Sequence, residues 1–353
     1  MDHMDRESAV RASFERQAMA CEDLGSPFTA RLCRLAAARL DRAGPVGRVI
    51  LDWPDDPTGT GDALALRLAG GLHALVLSHR DDGLAAAYPP HEVADGVLWA
   101  AVEAAMVRHE AFLLARLQSA PQTNEIRRSS ALLPVFLTLA DMFAMPLDLL
   151  EVGASAGLNL QWDRYRYRLD GFAWGDPASP VHLEPDWQGP RPPDAKVEVR
   201  DRRGCDLNPL DPTSAEDRQR LMSYVWADQA DRMERLRAAL SIAASSPPPV
   251  ERLGAVSWLP RVLAKLRRGG VTVLYHTIAW QYLPPEDRAQ GEGIIREAGE
   301  RATPEAPLAR LQMEADGRRE GAAITLQVWP GGEAQEVGRA DFHGRWVRWE
   351  GWR

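Results

Sequence analysis

Lysine is nearly missing from this chain of 353 residues: only Lys196 and Lys265 occur, so the 42 basic side chains are almost all arginine. Two lysines leave few candidates for Schiff-base chemistry, and no G-x-x-x-x-G-K-[ST] phosphate loop is present. There is no long basic run either, and a formal net charge of −8 argues against nucleic acid as the main partner. Cysteine is scarce. Cys21, Cys33 and Cys205 are spaced neither as a zinc site nor as a disulfide framework, which reads as reduced thiols in a cytosolic protein. His73, His79, His91 and His109 fall on helical segments without ligand spacing, so no metal is expected. No apolar run reaches membrane-spanning length, and Met1–Glu7 has neither an apolar core nor a cleavage motif. The expectation is a soluble cytoplasmic protein with a small-molecule partner.

What is present centres on Leu147 to Leu160, L-D-L-L-E-V-G-A-S-A-G-L-N-L. A short apolar run ends at Glu151-Val152-Gly153 and gives way to small residues, the pattern of a buried strand feeding a tight turn and a helix. Small side chains let backbone approach a ligand, and a helix N-terminus beyond offers unpaired N–H groups. The spacing E-x-G-x-S-x-G-x-N is close to a nucleotide-binding loop, with Ser155 where a glycine usually stands. A serine is tolerated there if its backbone angles stay ordinary.

Before this stretch the pattern is helical. Ser26-Pro27 opens a helix through Leu32, Leu35 and Leu40, which Gly44-Pro45 closes. Further helices are expected over 62–79 and about 91–117. A fourth, capped by Thr123, would be kinked by Pro134. Thr58-Gly59-Thr60-Gly61 has no strand before it and reads as a turn. After Pro146 strands and helices alternate. Asp170-Gly171 signals a hairpin, and 177–193 is a proline-rich excursion. Val197–Val199 and Gly204–Leu207 form a second strand region, and 211–240 one long helix. Val250–Val256 reads as a strand, Trp258–Leu266 as a helix, and Val271–Tyr275 as a strand with His276 at its carboxyl edge. Pro284-Pro285-Glu286 opens a helix to about Arg301, and four strands follow from Leu308 to Trp349. The fold expected is α/β: a helical domain over 1–145, then an open sheet over 146–353 with an antiparallel C-terminal edge and an insertion at about 163–196.

The alternation over 147–342 resembles the Rossmann-like fold of S-adenosylmethionine-dependent methyltransferases. That resemblance implies a cofactor held by Glu151, Gly153, Ala154, Ser155, Gly157 and Asn159. It also implies a ribose-binding acid at Gly204-Cys205-Asp206-Leu207-Asn208-Pro209, with Asp170 and Asp201 as alternatives to Asp206. The interval from Gly157 to Asp206 is longer than usual, and Gly254-Ala255 stands where an adenine-facing acid is common. Over nearly its full length the chain resembles an uncharacterised bacterial family, domain of unknown function 2332. The shared signatures are Pro121-Gln122-Thr123-Asn124-Glu125, Glu151 to Asn159, Arg203 to Asp211, Tyr224-Val225-Trp226-Ala227-Asp228-Gln229 and Trp280-Gln281-Tyr282-Leu283. It implies a fold and no activity.

The chemistry can be placed on this frame as expectations. His276, with a near-neutral pKa, is positioned to take a proton from an attacking acceptor, and Glu125 is the second acid–base candidate. Gln122, Asn124 and Arg128 exceed what a helix cap needs and are candidates for binding substrate. Trp280 and Tyr282 are candidates for stacking on an aromatic group. The leading expectation is methyl transfer from S-adenosylmethionine to a small molecule, which relies on positioning more than on acid–base groups. Two alternatives stand beside it: a decayed methyltransferase fold that binds a ligand or partner, and an NAD-dependent oxidoreductase.

Overall fold

The computed structural model describes residues 3–353, which leaves Met1 and Asp2 of the N-terminal stretch outside it. The chain divides into two compact units: Met1–Thr123 with Ala215–Glu234, and Asn124–Ser214 with Arg235–Arg353. The first unit opens with α1 (His3–Asp23), α2 (Pro27–Arg39), α3 (Pro45–Leu51) and α4 (Leu64–Leu77). It continues with α5 (Asp82–Ala85), α6 (Asp95–Arg108) and α7 (Glu110–Leu117). Two helical expectations need correction. Pro45 opens α3 instead of merely following a break, because proline suits the first helical position. The 91–117 stretch starts only at Asp95 and is broken at His109, which caps α7.

Ser26 shows why α2 begins where it does. Its hydroxyl accepts from the Thr29 N–H and also donates to Asp228, whose other oxygen accepts the Phe28 N–H at 2.8 Å. A cap of this kind contributes about 1 kcal/mol. Ser26→Ala is expected to lower the unfolding free energy by about 1–2 kcal/mol in urea titrations, because it strips a partner from Asp228 as well. Asp228 belongs to a returning segment. The expected helix over 211–240 is interrupted: α9 (Ala215–Ser223) ends, and α10 (Ala230–Ser245) begins seven residues on. Between them the Tyr224–Gln229 signature packs against α2 and α4 within the first unit, to which it belongs. The Tyr224 ring lies where a Cβ on Gly70 would come within 2.5 Å, and Gln229 donates to the Leu24 carbonyl.

The second unit contains a 15-residue helix, α8 (Ser129–Phe143), and twelve strands. In chain order they are β1 (Leu147–Val152), β2 (Arg166–Leu169), β3 (Phe172–Trp174), β4 (His182–Leu183), β5 (Asp186–Gln188), β6 (Val199–Asp206) and β7 (Val250–Arg252). After α11 (Ala255–Val262) come β8 (Val271–Thr277), α12 (Pro285–Glu300), β9 (Leu308–Glu314), β10 (Ala322–Trp329), β11 (Glu333–Ala340) and β12 (Trp346–Trp349). Nine of these strands form one sheet in the order β5-β12-β11-β10-β9-β8-β1-β6-β7. Strands β7-β6-β1-β8-β9 are parallel, and the hairpins through β10, β11 and β12 supply the antiparallel side. The fold is therefore the mixed α/β architecture that the sequence implies.

Central strands β1 and β8 are buried at every position, as parallel strands covered on both faces must be. Leu150, Val152 and Leu274 point to one face, against Trp258 and Leu259 of α11 and Ile295 and Ala298 of α12. Tyr275, one residue on, points to the other face. There Phe136 of α8 meets its ring edge-on at 5.4 Å and stacks on Trp162 at 4.2 Å. Pro134 sits inside α8 without ending it; in place of a cap at Thr123, the Glu125 side chain accepts the Arg127 N–H and caps a 3-10 turn, Ile126–Arg128, that leads into α8. The insertion at about 163–196 forms a second sheet, β3-β2-β4, and its β5 then joins the far edge of the large sheet beside β12. Among the described residues no helix is long and apolar enough to cross a membrane.

Candidate functional site

Strand order reverses between β1 and β8, so the carboxyl edge of the sheet opens a crevice there, the usual place for a ligand in doubly wound folds. The loop that follows β1 turns three times through the left-handed region, with φ +73° at Gly153, +55° at Ser155 and +70° at Gly157. Ser155 thus departs from the ordinary backbone angles that its tolerance seemed to require. A non-glycine residue there costs roughly 1–2 kcal/mol. Its N–H donates to Asp206 Oδ2 at 2.9 Å, which helps to hold the conformation.

Nearly every loop amide is engaged within the protein. Gly153 and Ala154 donate to the Cys205 carbonyl, Gly157 to Ala154, and Leu158 to Asn124 Oδ1 at 3.0 Å. Asn159 accepts from the Ser129 hydroxyl at 2.8 Å. A helix does follow, but it is a 3-10 turn, Asn159–Arg164, too tight to present a row of free amides. Only Gly153 of the loop is exposed, and a Cβ on it would meet Ala279 at 2.6 Å.

Glu151 ends β1 with its side chain wholly buried, and Oε2 has no hydrogen-bond partner, as is also true of Ser155 Oγ. Burial first, and the nearby Asp206 charge second, push its carboxyl well above the ordinary range, against the opposing influence of Tyr275 and Arg128. Of the three candidate ribose acids, Asp206 ends β6 at the carboxyl edge. Asp201 pairs with Asp148 further down the strands, and Asp170 turns the β2–β3 hairpin in the small sheet. Asp206 also accepts the Asn208 N–H at 2.8 Å. Beside it Leu207 is 70% exposed, and beyond β8 Tyr282 is 56% exposed. Leu207 is the residue that motif reading passes over. The signal was available, because an apolar side chain directly follows a strand-ending acid.

The other candidates divide into two groups. Asn124, Glu125 and Arg128 clamp the loop to the start of α8: Asn124 through Leu158, Glu125 as the cap, and Arg128 by donating to the carbonyls of Thr277 and Phe342. Gln122 lies upstream in irregular backbone, half-buried. His276 and Trp280 belong instead to the face under α12. His276 lies inside β8, since the strand runs on to Thr277, and it has no exposed surface. Its Nδ1 lies 2.7 Å from Glu314 and its Nε2 3.3 Å from the Arg310 guanidinium, with the ring stacked on Trp280 at 4.8 Å. Arginine only donates, so Nε2 accepts and the proton sits on Nδ1, facing Glu314. Burial pulls the imidazole pKa down, against the pull of Glu314, and the ring is a neutral structural link with no route to a substrate. Glu314 Oε1 also accepts the N–H groups of Ala279 and Trp280, both at 3.0 Å. Among the described residues no cluster of His, Cys, Asp and Glu is arranged to hold a metal.

Sheet order, left-handed loop and strand-ending acid together define an α/β protein whose parallel half is doubly wound about β1 and β8. The chain belongs to a family of uncharacterised proteins conserved in bacteria, DUF2332, whose family profile matches residues 11–349. No curated protein and no solved structure matches it.

Proposed function

We propose that this protein binds an adenosyl nucleotide of the S-adenosylmethionine type at the carboxyl edge of its sheet, for methyl transfer to a small molecule. One observation carries the reading: the exposed Leu207 stands immediately after Asp206, on the strand beside the β1 loop, at the switch point. That pairing suits a nucleoside: each Asp206 oxygen already accepts one backbone N–H, so ribose hydroxyls would share its second lone pairs, and the apolar side chain would lie against the base. The nucleoside half of the cofactor therefore fits. Its carboxylate fits less well, because the loop amides that would receive it are already engaged.

When bound, S-adenosylmethionine would supply an electrophilic methyl group. The protein's own contribution would be to orient: Asp206 and Leu207 fix the nucleoside, and the Glu151–Asn159 turn sets the floor. Neither expected base is placed to act at this edge, since His276 and Glu125 are both used structurally. That fact favours a second reading, a decayed methyltransferase fold that binds the nucleoside without turnover.

Thermal unfolding with S-adenosylmethionine, S-adenosylhomocysteine and NAD tests the binding. Ligand at one hundred times its dissociation constant adds about 2.7 kcal/mol, which in a chain of this size raises the midpoint by several degrees. The shift is expected with both adenosyl compounds, and Leu207→Ser should weaken it about tenfold without harming the fold. A flat response to all three compounds overturns the proposal. Methyl turnover with an acceptor separates the enzyme from the decayed fold.

A further inference from the structure

A cleft of about 550 Å³ lies between α12, β9 and the turn that follows β10, away from the β1 loop. Its volume is within the usual range for small-molecule sites. Trp329 forms part of its wall and is 7% exposed, yet its indole N–H finds no acceptor among the described residues. The nitrogen edge is kept clear by two glycines of the same cleft. A Cβ on Gly299 would stand 2.5 Å from Nε1, and one on Gly332 2.8 Å. The nitrogen is not sealed inside the protein, so this donor opens onto the cleft.

The charges around the cleft are balanced. Arg310, 3% exposed, is chelated by Glu292 at 2.5 and 2.7 Å, so that pair is neutral. Arg296 and Glu300 also face the cleft, one turn apart on α12, and neither side chain has an ionic or hydrogen-bond partner among the described residues. Gln327 donates its amide N–H to the Gly332 carbonyl at 2.7 Å, which leaves its side-chain oxygen as an acceptor. Donors without acceptors and acceptors without donors thus line one cavity, with no excess of either charge. A bare anion would meet Glu300 and Glu292, and a bare cation would meet Arg296.

We propose that this cleft is a binding site for a zwitterion of the α-amino-acid type. Its carboxylate is held by the Trp329 indole N–H and Arg296, and its ammonium group by Glu300 and the Gln327 oxygen. The site is independent of the nucleotide reading and stands or falls separately.

The test follows the indole N–H resonance of Trp329, assigned by its absence in Trp329→Phe, in the full-length protein. Glycine, L-phenylalanine, phenylacetate and phenethylamine are titrated to roughly 10 mM, a range that detects millimolar binding. A saturable shift with the two zwitterions only is expected. It should weaken about tenfold in Arg296→Gln, an exposed substitution that leaves the core untouched. A resonance unmoved by every compound overturns the proposal. So does an equal response to the acid or the amine alone, or unchanged binding in Arg296→Gln.

Discussion

Replacing Glu314 with alanine should lower the unfolding free energy by about 3–5 kcal/mol, because three buried donors lose their acceptor at roughly 1–3 kcal/mol each. Glu314 accepts from His276 Nδ1 and from the backbone N–H groups of Ala279 and Trp280, all through one oxygen. Alanine strands all three donors in a layer sealed by Trp280 and α12. Glutamine keeps an acceptor oxygen and loses the charge, so Glu314→Gln should cost less than half as much. Burial raises the Glu314 carboxyl pKa, but the hydrogen bonds from His276 and from the Ala279 and Trp280 amides outweigh burial and hold it below the usual range. A depressed folded pKa contributes stability that is present above the unfolded value and lost as pH falls through the folded one. Urea titrations at pH 7 and on the acid side measure both effects. A loss under 1 kcal/mol for Glu314→Ala would mean that the 278–282 turn is held by other contacts.

The second large effect has the opposite sign. Glu151→Gln should be more stable than the natural protein at pH 8, and the advantage should disappear in acid. Glu151 is wholly buried, with an unpartnered oxygen, and its folded pKa lies well above the ordinary carboxyl value. Below the unfolded pKa both states carry the proton and its contribution is fully present. Above it the unfolded chain releases a proton that the folded protein keeps, so stability falls with rising pH until the folded pKa is passed. The slope is about 1.4 kcal/mol per pH unit. Glutamine has nothing to titrate. Parallel stability–pH profiles for the two proteins would show that Glu151 is ionised in the fold, with a partner to hold its charge.

The chain made its large parts readable because their patterns are strong. Leu147–Val152 and Val271–Tyr275 are continuous apolar runs, and the tail alternates between glycine-bearing turns. Strand β6 was read as two fragments because Arg200, Arg202 and Arg203 interrupt it. Ion pairs to Asp148, Asp163 and Asp201 make those arginines compatible with a strand, and a linear pattern does not show such pairs. The loop at Glu151 was found by its small residues, but spacing cannot say where amides point. The Asn124 and Asp206 side chains that engage them come from 34 and 51 positions away. His276 illustrates the same limit: two additional residues in β8 moved it from an edge to the inside of a layer. Arg296, Gln327 and Trp329 carry no motif, and only folding gathers them at one cleft.

Strand β5 closes the far edge of the large sheet against β12, pairing Asp186 with Trp346 across about 160 residues of chain. Synthesis at about 5–20 residues per second separates those two strands by roughly 8–30 seconds. The β2–β3 hairpin can form at once from neighbouring residues, whereas β5 has to wait with its edge unpaired until the last strand emerges. The sheet is therefore assembled outward from β1, and its outermost strand, though made early, is among the last to be secured.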